Sequence, residues 1–252
     1  MPTAIARRRL VYKRDGEAQL MMDVYAPPGT PRGGSPAVCF VHGGPIPREM
    51  LAPTEWGVFT SYGELAAASG LVGIVFNHRL YAPTDHEVAQ SDVKAALEYV
   101  RDHADDLQVD GDRIGVWAFS GGGPLVTWCL REHPPHLRCL VAFYAILDVR
   151  HIVPPGTDPE RAARALAFSP AAHVGESRAR LPIFVARAGL DAAIINDSVD
   201  VFVREALAAN ACLDLSNHPQ GHHGFDVVDD DERSREILAR AVAFVRTHLS
   251  QA

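Results

Sequence analysis

Ser120, Asp191 and His223 each stand within two residues of a glycine, and each follows an apolar run of strand type. A serine hydroxyl attacks a carbonyl carbon only when a base takes its proton, and imidazole suits that task near neutral pH. A carboxylate behind the imidazole fixes its tautomer and stabilises the imidazolium that forms. The negative charge that develops on the attacked oxygen needs preorganised donors. Gly121, next to Ser120, and the pair Gly43-Gly44, after His42, are the glycine turns that can supply backbone N–H groups. These six residues describe acyl transfer through a serine nucleophile.

Ser120 lies in IGVWAFSGGGPLVTWCL, Ile114 to Leu130. The apolar start reads as a strand, the three glycines as a turn too tight for side chains, and the apolar continuation as a helix. That pattern holds a hydroxyl out at a sheet edge. A helix starting there adds unpaired N–H groups and a positive dipole end, and Pro124 suits its first turn.

Two of the three positions have rivals. Asp148 also follows a strand, and Asp191 could be a helix cap, but the strand–loop–acid pattern and the order Ser, Asp, His favour Asp191. His222 and His223 are adjacent, so only one can be aimed at Ser120. His218, His222 and His223 look superficially like a metal cluster, yet no second ligand set at a recognised spacing accompanies them, so no metal and no cofactor is expected. His42 is read as holding its own loop, and Asn77-His78-Arg79 as a loop anchor without chemistry. Phe119, Trp56 and Tyr81 are candidates for pocket lining, with core packing the plainer role for each.

The elements that must position these residues alternate in type. Leu10 to Lys13 and Leu20 to Tyr25, around Asp15-Gly16, read as a hairpin. Apolar runs at 37–41, 71–76, 113–118, 139–145, 181–186 and 211–215 read as buried strands, with 46–56 irregular. Helices are predicted over 59–68, 86–104 and 195–209, and Leu238, Val242, Val245 and Leu249 give a closing helix. Residues 147–180 are irregular and suit a small cap or lid. Apolar strands alternating with helices imply an α/β fold, a mostly parallel sheet covered on both faces within one domain spanning 1–252. Functional loops then gather at the carboxyl ends of the strands, where His42, Ser120, Asp191 and His223 all fall.

Composition excludes several classes of function. With 47% apolar and 22% charged residues the chain is an ordinary globular one. A net charge of −7 argues against nucleic-acid binding. No apolar run approaches a membrane span, and the first residues carry charge without an apolar signal-type stretch. The four cysteines show no pairing pattern and read as free thiols, which with the rest suggests a reducing, cytoplasmic setting. Arg7, Arg8 and Arg9 read as a solvated lead into the first strand.

Taken in order, LMMDVYAPP (20–28), VHGGP (41–45), VDGDRIGVWAFSGGG (109–123), ARAGLD (186–191) and HHGF (222–225) resemble the α/β-hydrolase family over nearly the whole chain. The esterase, dienelactone-hydrolase-like, acylaminoacyl-peptidase-like and hormone-sensitive-lipase-like branches are the relevant ones. The resemblance implies Ser120 as nucleophile, Asp191 as acid and His223, within His-Gly-Phe, as base. It implies an oxyanion hole from Gly121 and the Gly43-Gly44 turn. Two positions depart from the pattern. Ala118 replaces the usual first glycine of the nucleophile turn, and Pro45 follows the glycine pair and has no N–H to give. The implied activity is hydrolysis of small or short-acyl carboxylic esters, with a small-molecule ester as the binding partner and homodimerisation as a habit of the family. The alternatives are an acylaminoacyl-peptide hydrolase or peptidase, and a non-catalytic binding protein of the same fold.

Overall fold

The computed structural model describes residues 5–29, 31, 33–150, 158–176 and 181–250. Its strands are β1 (Ala6–Asp15), β2 (Ala18–Ala26), β3 (Ser35–Val41), β4 (Val72–Phe76), β5 (Val109–Phe119), β6 (Leu137–Phe143), β7 (Ile183–Ala188) and β8 (Leu213–His218). They form one sheet in the order β1-β2-β4-β3-β5-β6-β7-β8. β1 and β2 form the hairpin and β2 meets β4 antiparallel, while every pairing from β4 to β8 is parallel.

The helices are α1 (Gly57–Ala68), α2 (His86–Asp102), α3 (Ala104–Leu107), α4 (Thr127–Glu132), α5 (Pro159–Ala167), α6 (Pro170–His173), α7 (Ala193–Ala208), α8 (Phe225–Val228) and α9 (Glu232–Ser250). Strand side chains alternate between two buried layers, as the period of two requires. Ile114, Val116 and Ala118 of β5 join Val93 and Leu97 of α2 and Phe202 of α7 on one face. Trp117 and Phe119 join Phe59 and Tyr62 of α1 and Val245 and Leu249 of α9 on the other. Burial on both faces explains why these strands read as continuous apolar runs. Among the described residues no helix is long and apolar enough to cross a membrane.

Three expectations change. Arg7 and Arg9 lie within β1 and are not merely solvated: both close on Asp23 of β2 at 2.7 Å, and that carboxylate is fully buried. A buried charge needs such partners. Cys39, Cys129 and Cys139 are buried free thiols, but Cys212, in the run 211–215 read as a buried strand, is an exposed thiol just before β8. The 147–180 segment contains α5 and α6 in its described part, and α6 packs against α4 and α7 in the body of the molecule. Residues 151–157 and 177–180 of that segment lie outside the described residues.

Candidate active site

Ser120 directly follows β5 with φ +49°, a left-handed conformation that costs a non-glycine residue roughly 1–2 kcal/mol. Two hydrogen bonds to its carbonyl hold it there, from Gly123 N–H at 3.1 Å and Ile146 N–H at 3.0 Å. The glycines behind it have no room for side chains. A Cβ on Gly121 would stand 2.1 Å from the Gly44 carbonyl oxygen, and one on Gly123 2.2 Å from that of Ile146.

The expected helix does not begin at the turn. A 3-10 turn (Ser120–Gly122) and a second one (Pro124–Val126) come first, and α4 starts only at Thr127. Three glycines in succession favour no regular helix, and the close approach of the β3 and β6 loops fixes their path instead. The helix-dipole contribution expected at Ser120 is correspondingly weaker, since α4 has only six residues.

Asp191 and His223 reach Ser120 from the ends of β7 and β8. The two loops are stapled together: Gly189 N–H donates to the His218 carbonyl at 2.8 Å, and Leu190 N–H to that of Gly221 at 2.9 Å. His223 Nδ1 lies 2.7 Å from Asp191 Oδ2, and Nε2 lies 2.9 Å from Ser120 Oγ. An ionised Asp191 accepts from Nδ1–H, which leaves Nε2 as the acceptor of the serine proton. Ala192 N–H donates to the other oxygen of Asp191 at 2.7 Å. The structure thus brings the three predicted residues into one line, with the Asp191 side chain buried and that of His223 partly open.

The rivals are occupied elsewhere. Asp148 is clamped by Arg150, whose backbone N–H, Nε and Nη2 each donate at 2.9 Å. Burial pushes its pKa up, but the Arg150 and Ser169 hydrogen bonds outweigh that and hold it below the ordinary value. His222 turns to Asp229, with Nδ1 to Oδ1 at 2.9 Å. His218 points its Nε2 at Asp231 and Ser234, so the three histidines of the loop do not converge. His218, Asp229 and Asp231 bring ligand-type atoms within 4.8 Å of one another, but hydrogen bonds already hold all three.

The Gly43-Gly44 turn runs against Ser120. A Cβ on Gly43 would be 2.8 Å from the Ser120 Cβ and 3.3 Å from its Oγ. Pro45 follows through a cis peptide bond. His42 anchors the turn: its Nε2 accepts from His78 N–H at 3.3 Å, so its Nδ1 carries the proton and donates to the Gly43 carbonyl at 2.6 Å. The His78 ring stacks on it at 3.5 Å and donates from Nε2 to the His42 carbonyl at 3.0 Å. Burial drives both imidazoles toward the neutral form, His42 well below the ordinary value and His78 to about 4. Asn77 and Arg79 complete the anchor through Thr54 and Asp92.

Sequence reasoning missed the group behind His223. The Tyr144 ring meets the His223 ring edge-on at 4.8 Å. Asp226, three residues after His223, accepts from the Tyr62 hydroxyl. Burial raises its carboxyl pKa, with Tyr62 and Tyr144 pulling back. The one available signal was position: Tyr144 directly follows β6, and Asp226 opens α8. The three aromatics weighed for pocket lining take packing roles. Phe119 is buried against Tyr62 and Phe143, Trp56 packs on Phe59, and Tyr81 lies under the Arg48 guanidinium. The cleft beside Ser120, about 670 Å³, is lined instead by Gly44, Pro45 and Gly121 at one end and by residues of α2 and α5 at the other.

A parallel sheet with an antiparallel leading hairpin, a left-handed serine after β5 and a histidine after the last strand define the class. The chain has the α/β-hydrolase fold. Residues 22–130 match the family model BD-FAE. No curated protein matches the sequence. Among solved structures, it is similar to esterase 2 of Thermogutta terrifontis phosphoramylated by tabun, with TM-score 0.77 and 21% identity over 96% of this chain and 94% of the other. The butyrate-bound and propionate-bound forms of that thermophilic esterase also superpose, each with TM-score 0.77 and 21% identity over 95% of this chain and 93% of theirs.

Proposed function

We propose that the protein is a serine hydrolase that cleaves small carboxylic esters with short acyl groups through an acyl-enzyme. One observation carries the reading: the continuous line from Asp191 through His223 to Ser120, with hydrogen bonds of 2.7 and 2.9 Å, on a serine held in a left-handed turn. Ser120 Oγ attacks the ester carbonyl while His223 Nε2 takes its proton. Asp191 holds the imidazole with Nε2 as acceptor and balances the imidazolium. The oxyanion lies between Gly121 N–H and the Gly43-Gly44 turn, with Pro45 contributing no donor. His223 then protonates the departing alcohol, activates a water that releases the acid, and returns the proton to Ser120. The neighbouring esterase structures with butyrate and propionate support the short-acyl preference.

Hydrolysis of p-nitrophenyl esters from acetate to decanoate, with wild type and Ser120→Ala side by side, tests the reading. The expected result is turnover of short chains that falls by about 10⁴-fold or more in the variant. Equal inertness of both proteins on every ester overturns it.

A further inference from the structure

The cleft beside Ser120 has an uneven charge. Its walls are largely apolar, with Leu80, Ile146, Val149 and Phe168 among them, and three charged side chains line it: Arg161 and Arg164 of α5, and Glu87 of α2. The two arginines are three residues apart, which places both on one face of α5. Arg7, Arg9, Arg79, Arg113, Arg150 and Arg187 all close on carboxylates, with Arg7 and Arg9 sharing Asp23. Arg161 and Arg164 make no side-chain hydrogen bond or ion pair with any described residue. The undescribed stretches 151–157 and 177–180 contain no Asp or Glu that could neutralise them.

Other groups in the lining add little negative charge. Burial lowers the pKa of His86 and so favours its neutral form, and its ring packs on Phe168. The 17-residue helix α2 begins at His86, so its positive end faces the same space. Glu87 therefore stands against two guanidiniums and a helix N-terminus. At the inner end the cleft meets Gly44 and Gly121, and Gly121 follows Ser120 directly, so a ligand filling it extends from the neighbourhood of the serine to α5.

We propose that this cleft selects esters that carry a carboxylate remote from the scissile bond, with Arg161 and Arg164 receiving that carboxylate. The proposal rests on the ester-hydrolase reading above. A guanidinium presents paired donors that match a carboxylate's two oxygens, and apolar walls reduce the competition from water. The anion takes no part in bond breaking; water and ester give alcohol and acid, and the remote group contributes binding and orientation only.

The test compares substrates matched in length. For an anion on the acyl side, mono-p-nitrophenyl adipate is set against p-nitrophenyl hexanoate. For one on the alcohol side, 4-acetoxybenzoate is set against 4-methylphenyl acetate. The readout is the ratio of kcat/KM for the charged to the neutral ester, in which any effect on the shared chemistry cancels. Wild type is expected to favour the charged ester of one pair by about tenfold or more at low salt, with the ratio falling as NaCl is added. The ratio should approach one in Arg161→Gln/Arg164→Gln and invert in Arg161→Glu/Arg164→Glu, with far-ultraviolet circular dichroism unchanged in both. A wild-type ratio at or below one in both pairs, or a ratio unmoved by either double variant, overturns the proposal, and turnover of the neutral esters then leaves the esterase reading standing. If wild type cleaves no ester faster than Ser120→Ala does, both readings fall.

Discussion

The turn around Ser120 and the helix α5 form opposite ends of one cleft, and they are built by opposite rules. At the turn, backbone packs on backbone: Gly121 meets Gly44, Gly123 meets Ile146, and the strained serine is held by two hydrogen bonds to its carbonyl. Paired rings of His42 and His78 sit beneath, both buried. At α5, footing comes from a small separate cluster of Val149, Ala165 and Phe168, and most of the helix is exposed. Proton transfer and oxyanion stabilisation tolerate errors of only about 0.5 Å, and backbone contacts supply that precision. Gripping a flexible substrate end tolerates more, and long side chains on an exposed helix suffice. On the proposed reading, chemistry is placed where backbone contacts fix the fold, and selectivity where it can change cheaply.

That contrast can be broken at the turn first. Asp191→Asn keeps the shape of the acid but favours the wrong imidazole tautomer, and should lower kcat on a short p-nitrophenyl ester by roughly 10³- to 10⁴-fold with little loss of stability. Gly121→Ala puts a methyl carbon where the Gly44 oxygen lies, 2.1 Å away. Calorimetry should show a loss of about 1–3 kcal/mol, and kcat should drop roughly 100-fold or more as the Gly43-Gly44 turn is pushed off.

The layer under the turn should report through pH. Folded His78 titrates at about 4 against an ordinary 6.5, because it is buried. The unfolded chain therefore binds the proton first, and stability falls as the pH drops from 6.5 to about 4. The loss is up to about 3 kcal/mol for this group. His78→Gln, which still offers a donor to the His42 carbonyl, should flatten that part of the profile of thermal midpoint against pH; an unchanged slope would dissociate His78 from the acid response. At the other end of the cleft, Leu166→Ala on the exposed side of α5 should change stability by no more than about 0.5 kcal/mol. A larger loss would mean that α5 is anchored as firmly as the turn.

The sequence by itself determined the α/β class, the strand–turn arrangement around Ser120 and, as its partners, Asp191 ahead of Asp148 with one of two adjacent histidines. Those features are local: apolar runs buried on both faces, glycines where no Cβ fits, and polar residues at strand ends. Tertiary structure decided what depends on contacts across the chain. His223 lies 103 residues from Ser120 and 32 from Asp191 in sequence, so its selection over His222 needed the stapling of the β7 and β8 loops. Tyr144 came against His223 only through the sheet order. The delayed start of α4 and the pocket lining likewise lay beyond local patterning, since a residue's environment is made by elements that periodicity cannot place. An aromatic residue reads the same in a core as in a pocket, and only the folded chain put Phe119 in the one and opened the other toward Arg161 and Arg164.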